Sequence, residues 1–299
     1  MDINFYTFAT GRYKHFAIPY LVSSLLNNKD SFVELVVDDK NFFGQKVLDF
    51  VYANFRDRYS IKKIPKNFYP WLSQGKYIKS VRWVTIPNIE AKYTYIGDVD
   101  ILMLDKNISS GHARHAESIG RPYSNIVRNH PTKRKMSGLH FVVTKPYYKV
   151  LNQTELNKII SNINSGNIKK QMLDECLLYT IVKEYLGLPK NSNLKDGYGL
   201  EYRPTHGIHM SLPRRLTGWG VTESVFSSFK ILDKEPIWKD AKKVFSKEYM
   251  SVLNTVPLAC SLHKELEEIK SLYRNEKTAE KDKVSIMQRI LRIESTKYV

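Results

Sequence analysis

The sequence predicts an α/β fold, with a mostly parallel sheet flanked by helices and followed by a helical C-terminal appendage. Segments with the pattern of buried strands alternate with segments of helical periodicity from the N-terminus onward. The chain has 299 residues, of which 42% are hydrophobic, so it can bury a sizeable core. Near residue 222 the composition changes to Lys- and Glu-rich helical sequence. We therefore expect one domain over residues 1–221 and a helical region over residues 222–299.

The first hundred residues predict the sheet. We expect strands at "INFYTFAT", at "SFVELVVDD" and at "YTYIGDVDILML", with helices between them at "HFAIPYLVSSLLNN" and "KVLDFVYANFRDRY". Parallel strands joined by helices leave their carboxyl ends at one edge of the sheet, where open α/β sheets bind ligands. The polar residues at these strand ends are the first candidates for a site: Thr10, Asp38, Asp39, Asp98 and Asp100.

The second hundred residues are less regular. A long polar stretch over residues 105–138 predicts a substrate loop above the ligand-binding edge. A strand is expected at "LHFVVTK", and helices at "TELNKIISNIN" and "QMLDECLLYTIVKEYLGL". Residues 190–221 are rich in Gly, Pro, Arg and His, which suits a second segment of the site.

Charge and cysteine content narrow the class of protein. A formal charge of +17 and a pI near 9.6 favour polyanions, anionic lipid or phosphorylated small molecules as partners. Cys176 and Cys260 are too few to predict a disulfide framework or a metal knuckle. Because no window approaches eighteen consecutive apolar residues and no leader-like segment opens the chain, we expect a cytoplasmic protein.

Two aspartates interrupt the third predicted strand. Asp98 and Asp100 share one face of an extended segment, and carboxylates at that spacing repel unless a cation lies near them. A hard divalent ion such as Mn²⁺ or Mg²⁺ would balance the pair and leave open positions for phosphate oxygens. The alternative is an acidic strand end exposed to solvent. The apolar flanks place the pair at depth and favour the metal site.

The segment "YIGDVDILML" resembles the Asp-x-Asp segment of nucleotide-sugar glycosyltransferases with the GT-A fold. The resemblance implies a GT-A-like mixed sheet and a divalent ion, Mn²⁺ or Mg²⁺, on the donor diphosphate. It also implies that Asp100 ligates this ion directly and that Asp98 is a second ligand or a ribose contact.

A later segment is similar to one from family 8 of these enzymes. "RPTHGIHMSLPRR", residues 203–215, resembles the family's "Ile-His-Phe-x-Gly-x-x-Lys-Pro-Trp" segment. The likeness implies His209 as the third metal ligand, with His206 as the alternative. It also implies that Arg214 or Arg215 meets the diphosphate, although the family's Gly and Pro-Trp are absent here.

Three further segments follow the family's order. "KMSGLHFVV" is similar to a segment near the donor and acceptor sugars, and "QMLDECLLY" to a helix start whose acids bind sugar hydroxyls or lie near the anomeric centre. "TFATGRYKH" resembles the strand and loop that hold the nucleotide base. The residues that carry these likenesses are Ser137 and Gly138 for the first, Asp174 and Glu175 for the second, and Thr10 and Tyr13 for the third.

The resemblance implies transfer of a sugar from a nucleoside diphosphate sugar to a hydroxyl acceptor, as in bacterial-type capsule or lipopolysaccharide synthesis. An inverting enzyme needs a carboxylate base, for which Asp174 and Glu175 are candidates, whereas a retaining one does not. The sequence leaves both open, and the family 8 likeness favours retention.

Two basic segments bear on the acceptor. "RNHPTKRKMSG", with Arg114 and Arg121 upstream, suits an anionic glycan or lipid-linked acceptor, or forms a solvated loop. The apolar positions over residues 284–293 predict an amphipathic helix that contacts a membrane surface, a partner or its own protein.

Three other functions compete with this one. A nucleic-acid binder or metal-dependent nuclease also fits the charge and the paired acids, but no nucleic-acid motif appears. A nucleotidyltransferase shares the metal and the nucleotide, but no phosphate-binding Gly-rich loop is found. An inactive sugar-binding relative is the third alternative.

Overall fold

The computed structural model describes residues 1–73, 78–128, 134–166, 174–189, 205–210 and 223–257. The predicted diphosphate contacts Arg214 and Arg215, the core of the basic loop and the amphipathic segment over residues 284–293 lie outside these ranges. The strands are β1 (Ile3–Ala9), β2 (Ser31–Val37), β3 (Tyr59–Lys63), β4 (Tyr93–Asp98), β5 (Ile101–Met103), β6 (Tyr123–Ser124), β7 (Val127–Arg128), β8 (Lys135–Met136), β9 (His140–Val143) and β10 (Gly207–His209).

The α-helices are α1 (Lys14–Asn27), α2 (Gln45–Phe55), α3 (Tyr69–Ser73), α4 (Ile108–Ser118), α5 (Thr144–Val150), α6 (Gln153–Asn164), α7 (Asp174–Ile181), α8 (Glu223–Lys234), α9 (Pro236–Lys242) and α10 (Lys247–Leu253). Short 3-10 turns lie at Gly11–Tyr13, Lys40–Phe42, Lys66–Phe68 and Ile78–Trp83, and α7 continues into a π-helical turn at Val182–Leu186. No helix in the described ranges is long and apolar enough to cross a bilayer.

A six-stranded sheet in the order β3-β2-β1-β4-β9-β6 forms the centre of the fold. Strands β3, β2, β1 and β4 are parallel to one another, while β9 runs antiparallel to β4 and to β6. The predicted mixed, mostly parallel sheet flanked by helices is therefore confirmed. Phe8 pairs with Asp98, so β1 and β4 end level with each other at the same edge of the sheet.

Both faces of the sheet are covered, which explains why β1 and β2 are mostly apolar and buried, whereas the edge strand β3 is polar and only partly buried. Successive side chains of β1 and β4 point to opposite faces. Phe5 and Tyr95 belong to the cluster that contains α1. Tyr6 and Ile96 belong to the cluster on the other face, which includes α6 and α7. The site is thus built on strands that are fixed from both sides.

The sequence pattern predicted one strand over "YTYIGDVDILML", and this prediction is wrong. The chain leaves the central sheet at Asp98, turns at Val99 and Asp100, and enters β5, which pairs with β10 in a separate two-stranded sheet. The apolar residues of β5 continue the strand pattern because they too are buried. The turn, rather than the alternation of one strand, therefore brings the two aspartates together.

The predicted substrate loop over residues 105–138 is also wrong for much of its length. Residues Ile108–Ser118 form α4, and short strands follow it. The buried positions of α4 are Ile108, His112 and Ala116, spaced as one face of a helix. Because a histidine occupies the middle of that face, the sequence looked too polar to be a helix.

The described part of the C-terminal region, residues 223–257, contains α8, α9 and α10. Trp238 and Tyr249 are fully buried in the same hydrophobic cluster as α1. These helices therefore share the core of the sheet, and the boundary near residue 222 stays a prediction.

Candidate active site and metal centre

A cavity of about 710 Å³ opens at the carboxyl edge of the parallel strands. This is the edge at which open α/β sheets bind ligands. The sequence-predicted residues that line the cavity are Thr10, Tyr13, Asp38, Asp98, Asp100, Gly138, Asp174, Glu175 and His209. Segments from six separate parts of the chain thus converge on one concave surface.

Three candidate metal ligands meet on one wall of this cavity. Asp98, Asp100 and His209 each offer one ligand atom, and these atoms lie within 4.8 Å of one another. The distance from His209 Nδ1 to Asp100 Oδ2 is 3.6 Å, and both side chains are almost fully buried. Within the described ranges, this is the group of acidic, histidine and cysteine side chains that could hold an ion.

The local backbone explains how His209 arrives beside residues that precede it by a hundred positions. Strand β10 pairs with β5 so that His209 lies opposite Ile101. The Met210 N–H then donates a 2.7 Å hydrogen bond to the Asp100 carbonyl. This bond fixes the turn that carries Asp100 to the end of the strand that carries His209.

The donor set fits a divalent cation. Two carboxylate oxygens and one imidazole nitrogen suit Mn²⁺, and Mg²⁺ accepts the carboxylates and keeps several waters. In the described part of the floor, four carboxylates lie with two basic side chains, which form ion pairs with three of them. The carboxylates are Asp98, Asp100, Asp174 and Glu175, and the basic side chains are Arg82 and Lys135.

Arg82, like Arg12 and Lys79, lines the cavity but was not among the predicted site residues. Its buried guanidinium donates from Nη1 to Asp98 Oδ1 at 2.6 Å and from Nη2 to Asp174 Oδ2 at 2.9 Å. Burial alone would lower the pKa of Arg82, but the two carboxylates outweigh this effect and raise it. Arg82 therefore stays charged and ties the metal-ligand candidate Asp98 to the start of α7.

The signal for Arg82 was present but weak. It lies in the 3-10 turn Ile78–Trp83, between the buried residues Val81 and Trp83, in a stretch without helical or strand periodicity. A charged residue flanked by buried apolar residues needs a partner. The stretch alone did not show which acid that partner would be.

Gly138 approaches this ion-pair network closely. A Cβ at Gly138 would lie 3.1 Å from Arg82 Nη2 and 3.2 Å from Asp98 Oδ2. A side chain at position 138 would therefore have to displace the Arg82 or Asp98 side chain slightly, which glycine avoids. The neighbouring Ser137 does not line the cavity, because its buried Oγ accepts a hydrogen bond from the Leu139 N–H.

At α7, the two acids are held by different cations. Asp174 accepts from Arg82, whereas Glu175 lies 3.4 Å from Lys135 Nζ on β8. Both carboxylates face the cavity next to the metal-ligand group. Their positions suit contacts with sugar hydroxyls.

The cavity also has a rim with an aromatic ring and exposed cations. The Tyr13 ring lies between Arg12, 5.7 Å from the ring centroid, and Lys79, 5.5 Å from it. Asp38 fixes this rim by accepting from the Gly11 N–H and by pairing with Lys14, each at 2.9 Å. A tyrosine ring with cations beside it suits a nucleotide.

Two other predicted candidates lie elsewhere. Asp39 caps the turn Lys40–Phe42 by accepting from the Asn41 N–H, and it does not line the cavity. His206, the alternative metal ligand, points away from the acids and bonds Asp105 and His112. The structure therefore brings His209, and not His206, to Asp98 and Asp100.

Comparison with known proteins gives structural neighbours only. No protein-family model matches the sequence, and no curated protein matches it. Solved structures similar to the chain include glycosyltransferases. The first is the apo form of the glycosyltransferase GlyE of Streptococcus pneumoniae TIGR4, with 12% identity over 79% of this chain and 52% of that chain and a TM-score of 0.40. This chain therefore spans about half the length of that structure.

The second is the galactosyltransferase LgtC in complex with donor and acceptor sugar analogues, with 12% identity over 84% of this chain and 100% of that chain and a TM-score of 0.46. A third is 4-diphosphocytidyl-2C-methyl-D-erythritol synthase from Anaerococcus prevotii DSM 20548, with 6% identity over 62% of this chain and 84% of that chain and a TM-score of 0.37. With TM-scores below 0.5, these alignments assign neither a family nor an activity to the chain.

Proposed function

We propose that the protein is a divalent-metal-dependent glycosyltransferase that moves a sugar from a nucleoside diphosphate sugar to a hydroxyl acceptor. The observation that carries the proposal is the convergence of Asp98, Asp100 and His209 within 4.8 Å at the carboxyl edge of a mostly parallel sheet. The cavity that they face also holds an aromatic, cationic rim and a second pair of acids. We take the three features as the proposed binding places of the diphosphate, the nucleotide and the sugar, in that order.

In this proposal Asp98, Asp100 and His209 hold Mn²⁺ or Mg²⁺. Such an ion supplies charge neutralisation on the departing nucleoside diphosphate. Asp100 and His209 are buried and 3.6 Å apart, so they suit direct ligands, while the half-exposed Asp98 is oriented by Arg82. The chain's own residues therefore fix the ligand geometry before any substrate enters.

The nucleotide end of the donor lies at the rim. Thr10 and Tyr13 face the base and ribose, and the exposed Arg12 and Lys79 lie where they can meet phosphate oxygens. Arg214 or Arg215 would add a further cation, as the resemblance to family 8 implies. The metal ion and these cations would balance the negative charge of the departing diphosphate.

The sugar end of the donor lies beside Gly138, Asp174 and Glu175. The absence of a side chain at Gly138 leaves the donor room next to Arg82 and Asp98. Asp174 and Glu175 already accept from cations, which favours hydroxyl binding over proton abstraction. This arrangement supports the mild preference for a retaining mechanism, and a hexosyl group remains the proposed unit of transfer.

The charge of the protein bears on its acceptor and its cellular role. A net charge of +17 suits an anionic glycan or a lipid-linked acceptor, as in capsule or lipopolysaccharide synthesis, and suits peripheral contact with an anionic membrane. We propose a cytoplasmic enzyme whose catalytic domain spans residues 1–221. Residues 222–299 form the proposed helical C-terminal region, and its predicted amphipathic segment over residues 284–293 is the proposed membrane or partner contact.

A panel of nucleotide sugars tests the proposal. The protein is incubated with each donor, Mn²⁺ and glycan acceptors, and release of nucleoside diphosphate is followed with and without a chelator. We expect release from one class of donor that stops on chelation, and the anomeric configuration of the product then separates retention from inversion. Release of pyrophosphate from nucleoside triphosphates would instead indicate a nucleotidyltransferase.

The same preparation separates the remaining alternatives. Metal-dependent cleavage of nucleic acid without donor turnover would indicate a nuclease. Donor binding without turnover in the presence of every acceptor would indicate an inactive sugar-binding relative. Binding of nucleic acid at physiological salt, with no nucleotide sugar bound, would overturn the proposal.

A further inference from the structure

A buried hydrogen-bonded chain lies behind the proposed metal centre. His206, 3% exposed, adopts a left-handed backbone conformation with φ of 58°. Its Nδ1 is 3.0 Å from Asp105 Oδ2, and its Nε2 is 2.7 Å from His112 Nε2. A left-handed conformation is uncommon for a residue other than glycine. Here it turns the imidazole towards both partners at once.

The chain continues into the central fold. His112 Nδ1 is 2.8 Å from Ser124 Oγ, and His115 Nδ1 is also 2.8 Å from that oxygen. The His112 ring stacks on Phe141 of β9, with centroids 4.9 Å apart and an interplanar angle of 11°. His112 is therefore held by α4, by β6 and by the six-stranded sheet.

One set of neutral tautomers satisfies every link. His206 donates from Nδ1 to Asp105 and accepts at Nε2 from His112 Nε2. His112 then accepts at Nδ1 from Ser124, whose oxygen accepts from His115 Nδ1. Burial, with the neighbouring imidazoles, lowers the pKa of His112 to about 2, which keeps it neutral. The short contact between two imidazoles is thus a hydrogen bond and not a repulsion.

His206 stands three residues before the proposed ligand His209, at the start of the short strand that carries it. Strand β10 is three residues long, and β5 is its one partner among the strands that the structure describes. At its N-terminal end the His206 carbonyl accepts from the Leu104 N–H at 2.8 Å. Gly207 is required next, because a Cβ there would lie 1.9 Å from the Leu102 carbonyl oxygen. A strand this short needs side-chain support to hold a metal ligand.

We propose that His206 and His112 are positioning residues that fix β10, and through it His209, in the geometry that binds the divalent ion. The inference rests on the proposed function, since it takes His209 as a metal ligand. His206 itself touches no ion. Residues behind the ligands of a metal site commonly set ligand orientation and change metal affinity when replaced.

The test measures Mn²⁺ affinity directly, from the free-ion signal in electron paramagnetic resonance titrations of the full chain without substrate. His206→Ala and His112→Ala should each weaken Mn²⁺ binding by about 10- to 100-fold. The double variant should bind Mn²⁺ at most about threefold more weakly than the weaker-binding single variant. The reason is that both substitutions remove the same link.

His140→Ala is the matched control. His140 is fully buried and bonds Asn125 and Tyr147, but it has no contact with β10 among its hydrogen bonds. We expect His140→Ala to lower the thermal midpoint as His206→Ala does and to change Mn²⁺ affinity less than about twofold. Each titration is run under conditions in which circular dichroism shows that the variant is folded.

Each outcome has a separate meaning. Wild-type Mn²⁺ affinity in folded His206→Ala, or an equal loss in His140→Ala, overturns the positioning role and leaves the proposed metal centre standing. Absence of Mn²⁺ binding by the wild-type protein overturns the metal centre itself. If the alanine variants do not fold, Asp105→Ala takes their place. Asp105 is the exposed end of the hydrogen-bonded chain, and we expect this variant to lose about threefold in Mn²⁺ affinity. An unchanged affinity in that variant overturns the inference.

Discussion

Replacement of Arg82 by methionine tests the charge balance of the site. The Arg82 side chain is 7% exposed, and it pairs with Asp98 and Asp174, which are 29% and 17% exposed. Removing one partner of a buried ion pair costs about 3–5 kcal/mol, because the other partner is left as an uncompensated charge. Water reaches part of Asp98, so we expect Arg82→Met to lower the free energy of unfolding by about 2–4 kcal/mol.

Metal should reverse part of this loss. A ligand that binds only the folded state stabilises it by about 2.7 kcal/mol at 100 times its dissociation constant. Arg82→Met removes the group that orients Asp98, but it also removes a positive charge beside the metal ligands. We expect the charge effect to be the larger one, so saturating Mn²⁺ should stabilise Arg82→Met more than the wild type. Urea denaturation followed by circular dichroism, with and without Mn²⁺, measures both quantities.

Arg58 supplies the matched control for this experiment. Its guanidinium donates to the carbonyls of Leu25, Asn28 and Ser31, away from the cavity. Arg58→Met should lower stability without changing the stabilisation by Mn²⁺. A loss below about 1 kcal/mol in Arg82→Met, or an equal Mn²⁺ effect in both variants, would refute the reasoning.

Asp100→Ala should abolish Mn²⁺-dependent donor binding in calorimetry and leave the fold intact by circular dichroism; unchanged affinity would remove Asp100 from the site. Gly138→Ala brings a Cβ within 3.2 Å of Asp98 and should cut donor turnover by about tenfold or more, whereas Gly44→Ala, which meets nothing within 4 Å, should not. Burial lowers the pKa of His140 to about 3 and that of His112 to about 2, below the usual value near 6.5. The unfolding free energy should therefore fall as pH drops from about 6.5 towards 3, by on the order of 1.4 kcal/mol per pH unit for each histidine. His140→Asn should flatten this slope in urea titrations, and an unchanged slope would contradict the assignment.

The central sheet was predictable because its signal is local. Strands β1, β2 and β4 are mostly apolar runs, and the helices between them carry their own periodicity, so alternation alone gives the fold class. The edge strand β3 is polar and only partly buried, so the pattern did not predict it. The polar residues at the strand ends follow from the same pattern, since strand ends converge at one edge. Thr10, Asp38, Asp98 and Asp100 all line the cavity there, whereas Asp39 caps a turn instead.

The parts that the sequence did not predict depend on contacts between distant residues. The sequence pattern does not reveal the turn at Val99. The residues after the turn, in β5, are also apolar and buried, although β5 pairs with β10 and not with the central sheet. The face of α4 looked polar because His112 is buried through partners far along the chain. Arg82 belongs to the site only through Asp98 and Asp174, one of them 92 positions away.

The most direct test of the proposed metal centre is a crystal of the protein soaked with Mn²⁺ and a nucleoside diphosphate, with diffraction data collected at the manganese edge. We expect one anomalous peak, ligated by Asp100 and His209 and near or bound to Asp98, with the diphosphate on the side of the ion that faces Tyr13. A peak at another place, or a nucleotide bound elsewhere on the surface, would contradict the assignment of this cavity as the donor site.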